Sequence, residues 1–150
     1  MDFKEICREW RKRRLPIING IVYSSGDVDK IYIDYDENNY ERILIHSGRT
    51  KVGLLFTNEG SFSDVNIYGT TSNEEKNLTV SYGGGSYGGD GFIVVESNES
   101  KIVWLAFFED SNEFEQCEIK DRAIIVYNNL GEKWTFDIDM PSTLYIKNVS

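Results

Sequence analysis

The chain has 150 residues, of which 40% are hydrophobic and 13% aromatic, and it carries 16 Lys and Arg against 25 Asp and Glu, a net charge of −9. This composition is typical of one soluble globular domain, and it excludes a disordered chain because large apolar side chains are abundant. No apolar run is long enough for a membrane helix, and an acidic surface repels phosphate. We therefore expect neither a membrane nor a nucleic acid as partner.

The first 14 residues are basic although the chain as a whole is acidic. They hold six basic and three acidic side chains, a net charge of +3, which leaves −12 on the remainder. Apolar residues recur at helical spacing, namely Phe3, Ile6, Cys7 and Trp10. This pattern predicts an amphipathic helix over residues 2–14, stopped before Pro16. We expect Phe3 and Trp10 to dock it on a sheet; the alternative is a basic arm for a phosphate or membrane surface.

The N-terminal segment also bears on the cellular compartment. Its charges are scattered and no apolar stretch follows them, which excludes a secretory signal, so we expect a cytoplasmic protein. In a reducing compartment the two cysteines, Cys7 and Cys117, are expected to be small buried hydrophobes and not a disulfide.

Beyond Pro16 the hydrophobic period changes from about 3.6 to 2, which indicates strands. The predicted strands are residues 17–23, 30–36, 41–46, 52–57, 64–68, 78–82, 92–96, 102–108, 123–127, 133–139 and 143–149. About eleven short strands at this spacing predict an all-β fold, an antiparallel sandwich or partly open barrel with one N-terminal amphipathic helix. We expect a single domain over residues 1–150, with the helix at 2–14 and a β body at 17–149.

Some of these strands are apolar on both faces. Residues 102–108 contain no polar side chain, and residues 92–95 and 123–127 are nearly as apolar. One face of a strand in a simple sandwich meets water, so the second face must be covered here. The N-terminal helix is one candidate cover, and a partner chain, which would make a homodimer, is the other.

A glycine-rich stretch follows the strand at 78–82. It contains G-x-G-x-x-G at Gly83, Gly85 and Gly88, but it leads into a strand, whereas a phosphate-binding loop leads into a helix. The stretch is therefore interpreted either as a mobile connection or as a flexible recognition loop. In the second interpretation Tyr82 and Tyr87 are aromatic contacts, and Asp90 is a further binding residue.

The chain has no convincing catalytic or metal-binding motif. His46 is its single histidine, and the segment that begins at Asp34 departs from a calcium loop at Asn39 and Ile45, which replace the required Gly and Glu. We predict no catalytic residue, no metal and no cofactor, and we expect a protein that is not an enzyme.

The strongest functional candidate is the acidic stretch at residues 109–121. It holds six carboxylates and one lysine directly after the most apolar strand, so a core element would deliver negative charge to the surface. The predicted binding residues are Glu109, Asp110, Glu113, Glu115 and Glu118, with Phe114 as an apolar contact among them. The alternative is a solvated loop that keeps an aromatic-rich domain soluble.

These observations favour a non-catalytic domain that binds a basic protein. The first hypothesis is an acidic immunity or antidote-type inhibitor that blocks a basic toxin such as a nuclease. Its carboxylates would mimic a phosphate backbone, and Phe114 and Tyr87 would be anchors. The alternatives are a carbohydrate- or small-ligand-binding β-sandwich and a structural homo-oligomer subunit.

Overall fold

The computed structural model describes residues 2–38, 41–55 and 61–149. Two antiparallel sheets, the larger of them curled, and an N-terminal helix confirm the predicted fold class. The strands are β1 Arg14–Pro16, β2 Gly20–Tyr23, β3 Asp27–Asp36, β4 Glu41–Lys51, β5 Phe62–Asn73, β6 Leu78–Gly85, β7 Gly91–Ser97, β8 Ile102–Phe108, β9 Phe114–Lys120, β10 Ala123–Asn128, β11 Glu132–Asp137 and β12 Tyr145–Asn148. The helices are α1 Phe3–Arg11, α2 Val52–Leu55 and a 3₁₀ turn at Pro141–Thr143.

The main core lies between the two sheets. The larger sheet has eight strands in the order β1-β5-β6-β7-β8-β2-β3-β4, and the smaller has the order β12-β11-β10-β9. Large aromatic rings from both sheets meet here: the centroids of Trp104 and Phe136 are 5.6 Å apart, and those of Phe108 and Trp134 are 5.1 Å apart. Burial of these rings is the main apolar contribution to stability.

A second core lies on the opposite face of the larger sheet, under α1. Ile6 and Trp10 are buried there, and the Trp10 ring meets Phe92 edge to face at 5.9 Å. In β7, Phe92 faces α1 whereas Ile93 faces the smaller sheet. Strands β7 and β8 are therefore apolar on both faces because each face is covered within the chain, one by the smaller sheet and the other by α1.

Several predicted boundaries were wrong. The helix ends at Arg11 and not at residue 14, because Arg13 adopts a left-handed φ of 60° and Arg14 already pairs with Asp64 of β5. Val52–Leu55 forms a helical turn where a strand was predicted, and residues 56–57 of that strand lie outside the described residues. No helix in the described part of the chain is long and apolar enough to cross a membrane.

Strand β9 was missed because its alternation is interrupted. Phe114, Cys117 and Ile119 contribute to the core, but the first two are three positions apart, which does not fit a period of two. A bulge explains the spacing, since Tyr127 pairs with Gln116 and the next residue, Asn128, pairs with Phe114. Half of the acidic stretch is therefore a strand and not a surface loop.

The docking of α1 can be measured by truncating Trp10. Trp10 is 4% exposed, so Trp10→Ala should lower the free energy of unfolding by about 3–5 kcal/mol through lost burial and a residual cavity. Urea denaturation measures this loss. The control Leu130→Ala, at a side chain that is 49% exposed, should stay within about 0.5 kcal/mol of the parent. Equal losses in the two variants would contradict the described packing of α1.

Candidate functional site

The first half of the glycine-rich stretch is a strand and not a loop. Gly83–Gly85 pair with β5 and β7 as part of β6, and the turn that follows spans residues 86–90, with Gly88 and Gly89 at φ of 71° and 87°. Tyr82 belongs to β6, where its ring packs against the main core and its hydroxyl lies over Gly69. The prediction of Tyr82 as a contact in a flexible loop is therefore wrong, because the strand pairing fixes it.

The glycines of β6 make room for acidic side chains. A Cβ atom on Gly85 would lie 2.2 Å from Oδ2 of Asp90, and one on Gly84 would lie 2.3 Å from Cγ of Glu113. Distances this short exclude any larger residue unless the acidic side chains move. The glycines at these two positions thus allow Asp90 and Glu113 to lie directly against the strand.

An acidic cleft forms where the β6–β7 turn meets the β8–β9 loop. Its volume is about 290 Å³, and it is lined by Ile17, Tyr87, Asp90, Glu109 and Asp110. Four predicted binding residues, from two segments about 20 residues apart in sequence, are therefore brought together. Tyr87 is 74% exposed, whereas Asp90 is 2% exposed, so the cleft has an accessible aromatic wall and a buried carboxylate.

Asp90 is the most unusual group in this cleft. Among the described residues its Oδ1 atom is buried and accepts no hydrogen bond. Burial raises the pKa of Asp90, and the charge of Glu113 adds to this, while the backbone N–H groups of Gly85 and Tyr87 oppose it. A buried carboxylate without a full set of partners costs free energy, which a bound cation would recover.

The acidic loop, residues 109–113, is held in place from both sides of the cleft. The backbone N–H of Glu109 donates to Oδ1 of Asn19 at 2.9 Å, and Nδ2 of Asn128 donates to the carbonyl of Ser111 at 2.8 Å. Arg42 donates to the carbonyls of Asp110 and Ser111. The loop is therefore a fixed support for its side chains.

Arg42 is itself held by a buried carboxylate. Its Nε and Nη2 atoms donate to the two oxygens of Glu132 at 2.9 and 2.6 Å, and Asn128 and Trp134 donate to the same carboxylate at 2.7 and 3.2 Å. Burial alone would raise the pKa of Glu132, but these hydrogen bonds and the charge of Arg42 hold it below its ordinary value. Glu132 therefore remains ionised and keeps Arg42 oriented.

The sequence did not reveal this supporting network. Arg42 and Glu132 are 90 residues apart, as are Asn19 and Glu109. A lone Arg, Asn or Glu near a strand end has no local pattern that distinguishes it from a solvated side chain. Such long-range hydrogen-bonded pairs can be recognised only from the three-dimensional structure, in which the fold brings the two residues together.

The remaining acidic residues lie outside the cleft. Burial raises the pKa of Tyr68, and the negative charges of Glu113, Glu115 and Asp90 raise it further. Glu118 lies farther along β9, where it accepts a hydrogen bond from the Tyr127 hydroxyl at 3.0 Å. The acidic stretch is thus divided between the cleft and the surface of β9.

Phe114 is not a surface contact. Its side chain is 0% exposed, and its ring centroid is 5.4 Å from that of Trp134 in the main core. The prediction of Phe114 as an anchor for a partner is therefore wrong. Phe114 is the first residue of β9, and its ring packs in the main core. This packing fixes the end of the acidic loop.

The described residues contain no group of three or more His, Cys, Asp and Glu arranged to hold a metal ion. Burial raises the pKa of Cys117 to about 12 and also raises that of Cys7, so both thiols are protonated at neutral pH. His46 lies on β4, directly opposite Ile31 of β3. The His46 side chain is exposed, whereas both cysteines are partly buried.

The Arg42–Glu132 ion pair predicts a specific pH dependence. Because the folded-state pKa of Glu132 is lowered, its stabilisation is complete above the ordinary pKa of 4.5 and is lost as the pH falls through the folded value. Glu132→Gln should cost about 3 kcal/mol at pH 7, since it leaves the partly buried charge of Arg42 without its carboxylate partner. Urea denaturation between pH 7 and pH 3 should show that this difference shrinks in acid.

The control for this experiment is an exposed ion pair. Nη2 of Arg122 lies 2.9 Å from Oδ2 of Asp139, and the two side chains are 70% and 68% exposed. Asp139→Asn should therefore change the free energy of unfolding little at any pH. A Glu132→Gln variant as stable as the parent at pH 7 would contradict the proposed importance of the network.

The geometry of the acidic cleft is the basis for assigning a function, since no family model, curated protein or solved structure matches this chain. The cleft combines two carboxylates on a fixed loop with a buried carboxylate and an exposed aromatic ring on the β6–β7 turn. Such an arrangement favours binding of a cation, because carboxylates supply acceptors and negative charge.

Proposed function

We propose that this protein is a non-catalytic domain that binds a basic protein, in the manner of an immunity or antidote protein that blocks a cationic toxin such as a nuclease. The observation that carries the proposal is the acidic cleft, where Asp90, Glu109 and Asp110 converge beside Tyr87.

Charge favours a basic partner. The chain has a net charge of −9, and the cleft adds local negative charge at one surface. A field of this sign attracts cationic proteins and accelerates their association, an effect that salt weakens. A nuclease binds phosphate through Lys and Arg, so its active site carries the charge that this cleft complements.

A cleft of mixed polar and apolar character adjoins the acidic cleft. Its volume is about 210 Å³, it shares Ile17 and Glu109 with the first cleft, and it is also lined by Asn19, Lys30, Tyr32 and Leu55. Tyr32 lies directly opposite Ile45 in the β3–β4 pair, and both side chains are more than 40% exposed. Apolar side chains beside charged ones resemble the core and rim of protein interfaces.

The supporting hydrogen bonds favour tight binding. Because Asn19, Arg42 and Asn128 hold the backbone of the acidic loop, binding does not require ordering of that segment. Ordering costs reduce affinity, so a loop that is fixed in advance retains more of its interaction energy. Tyr87 adds an exposed aromatic side chain, a residue type enriched among interface hot spots.

Affinity capture with the full chain tests the proposal. Immobilised protein should retain a basic protein from a lysate of the native organism, and high salt should release it. The double variant Glu109→Lys with Asp110→Lys should weaken binding of that purified partner at least about tenfold, because charges at the cleft reverse. If the partner is a nuclease, the parent chain should also inhibit its activity.

The matched control is Glu74→Lys with Glu75→Lys, which makes the same change in net charge at two exposed residues in the β5–β6 turn. This control should retain binding apart from a small loss of association rate. Equal loss in both double variants would reduce the effect to net charge and contradict a role for the cleft. Self-association of the parent without a basic partner would favour the homo-oligomer alternative.

A further inference from the structure

We infer that the acidic cleft is a subsite for a single guanidinium group, an arginine side chain of the basic partner, bound by the carboxylate of Asp90. This inference rests on the proposed function and specifies the chemistry of the group that enters the cleft. The structural basis is a buried carboxylate with an unpaired oxygen at a cleft that has room for one side chain.

Within the described chain, Asp90 has no cationic partner. None of the ion pairs among the described residues includes it, and its Oδ1 atom accepts no hydrogen bond although the residue is 2% exposed. The one other buried carboxylate among the described residues, Glu132, has such a partner in Arg42. An unsatisfied buried acceptor is rare in proteins, and a bound cation is one physical explanation for it.

The walls of the cleft suit a guanidinium group. Tyr87 provides an exposed ring on which a planar cation can stack, and Ile17 provides apolar surface for its methylene stem. Glu109 and Asp110 line the same cleft and add acceptors for the remaining N–H groups. Arginine donates from a rigid, planar fork with five N–H groups, so it can engage several such acceptors at once.

A metal ion or an ammonium group fits less well. Calcium requires about six to eight oxygen ligands, and the described residues form no metal-binding cluster. A lysine ammonium is a compact, strongly hydrated charge with three donors, so it makes less use of an aromatic wall and of acceptors spread over several residues.

The test uses a small probe, so that it does not depend on a protein partner. Nα-acetyl-L-arginine N-methylamide is titrated into the full chain at constant ionic strength, and backbone amide NMR shifts are followed. Saturable shifts at Gly85, Tyr87 and Asp90 are expected, with a dissociation constant in the range of about a millimolar. Asp90→Asn and Tyr87→Ala should each weaken binding at least about fivefold, whereas the matched charge loss Glu74→Gln should not.

Two comparison probes separate the possible ligands. The corresponding lysine derivative should bind several-fold more weakly, and calcium chloride should produce no saturable shift at the same amides. Equal or stronger binding of either probe would overturn the assignment of a guanidinium site, as would arginine binding that is unchanged in Asp90→Asn.

Thermal melting separates a ligand-binding role of Asp90 from a structural one. Because the charge of Asp90 is buried without a full set of partners, Asp90→Asn should raise Tm by about 2–4 °C at pH 7. A lower Tm would mean that Asp90 stabilises the fold and would overturn the inference. Tyr87 is 74% exposed, so the Tyr87→Ala variant should fold normally. Weaker arginine binding by this variant would therefore report on the cleft and not on unfolding.

The two proposals fail separately. If the arginine probe binds but no basic protein is captured, the cleft is a guanidinium site and the proposed function is wrong. If a basic partner is captured through Glu109 and Asp110 but the probe does not bind, the proposed function stands and this inference is wrong.

Discussion

The acidic cleft depends on one buried ion pair, Arg42 with Glu132. This pair spans the space between the larger and smaller sheets, since Arg42 belongs to β4 and Glu132 to β11. Arg42 also donates to two consecutive carbonyls of the acidic loop, so the ion pair that links the two sheets also positions the loop. Buried ion pairs contribute little net stability compared with apolar packing, but they require one specific geometry. In this protein that geometry determines where Glu109 and Asp110 lie.

The glycine-rich stretch shows how the same residues admit two physical explanations. Glycine permits unusual backbone angles, and it also permits close approach because it has no Cβ atom. Gly88 and Gly89 use the first property, whereas Gly84 and Gly85 use the second. Composition alone does not distinguish these cases. The structure distinguishes them. Gly84 and Gly85 lie in the paired strand β6, where acidic side chains pack directly against them, so the missing Cβ atom is the property that matters there.

Much of the fold could be predicted because its signals are local. The period-two alternation in β3, the helical stripe of Phe3, Ile6 and Trp10, and the apolar faces of β8 each depend on neighbouring residues. Predictions failed where local order is interrupted, as at the bulge that hides β9 and at the left-handed Arg13. For the site, the carboxylates and Tyr87 were predicted from composition. The burial of Phe114 and the contacts of Asn19, Arg42 and Asn128 depend on long-range pairing, which no local pattern encodes.

The acidic loop is anchored mainly through its backbone. Arg42 and Asn128 bind carbonyl oxygens, and Asn19 binds an N–H group, groups that every residue but proline possesses. The exposed residues at positions 109 and 110 can therefore be substituted without loss of the hydrogen bonds that hold the loop backbone. A surface built this way can alter its specificity by single substitutions while the fold stays constant. The fold and the chemistry of this surface can therefore vary independently.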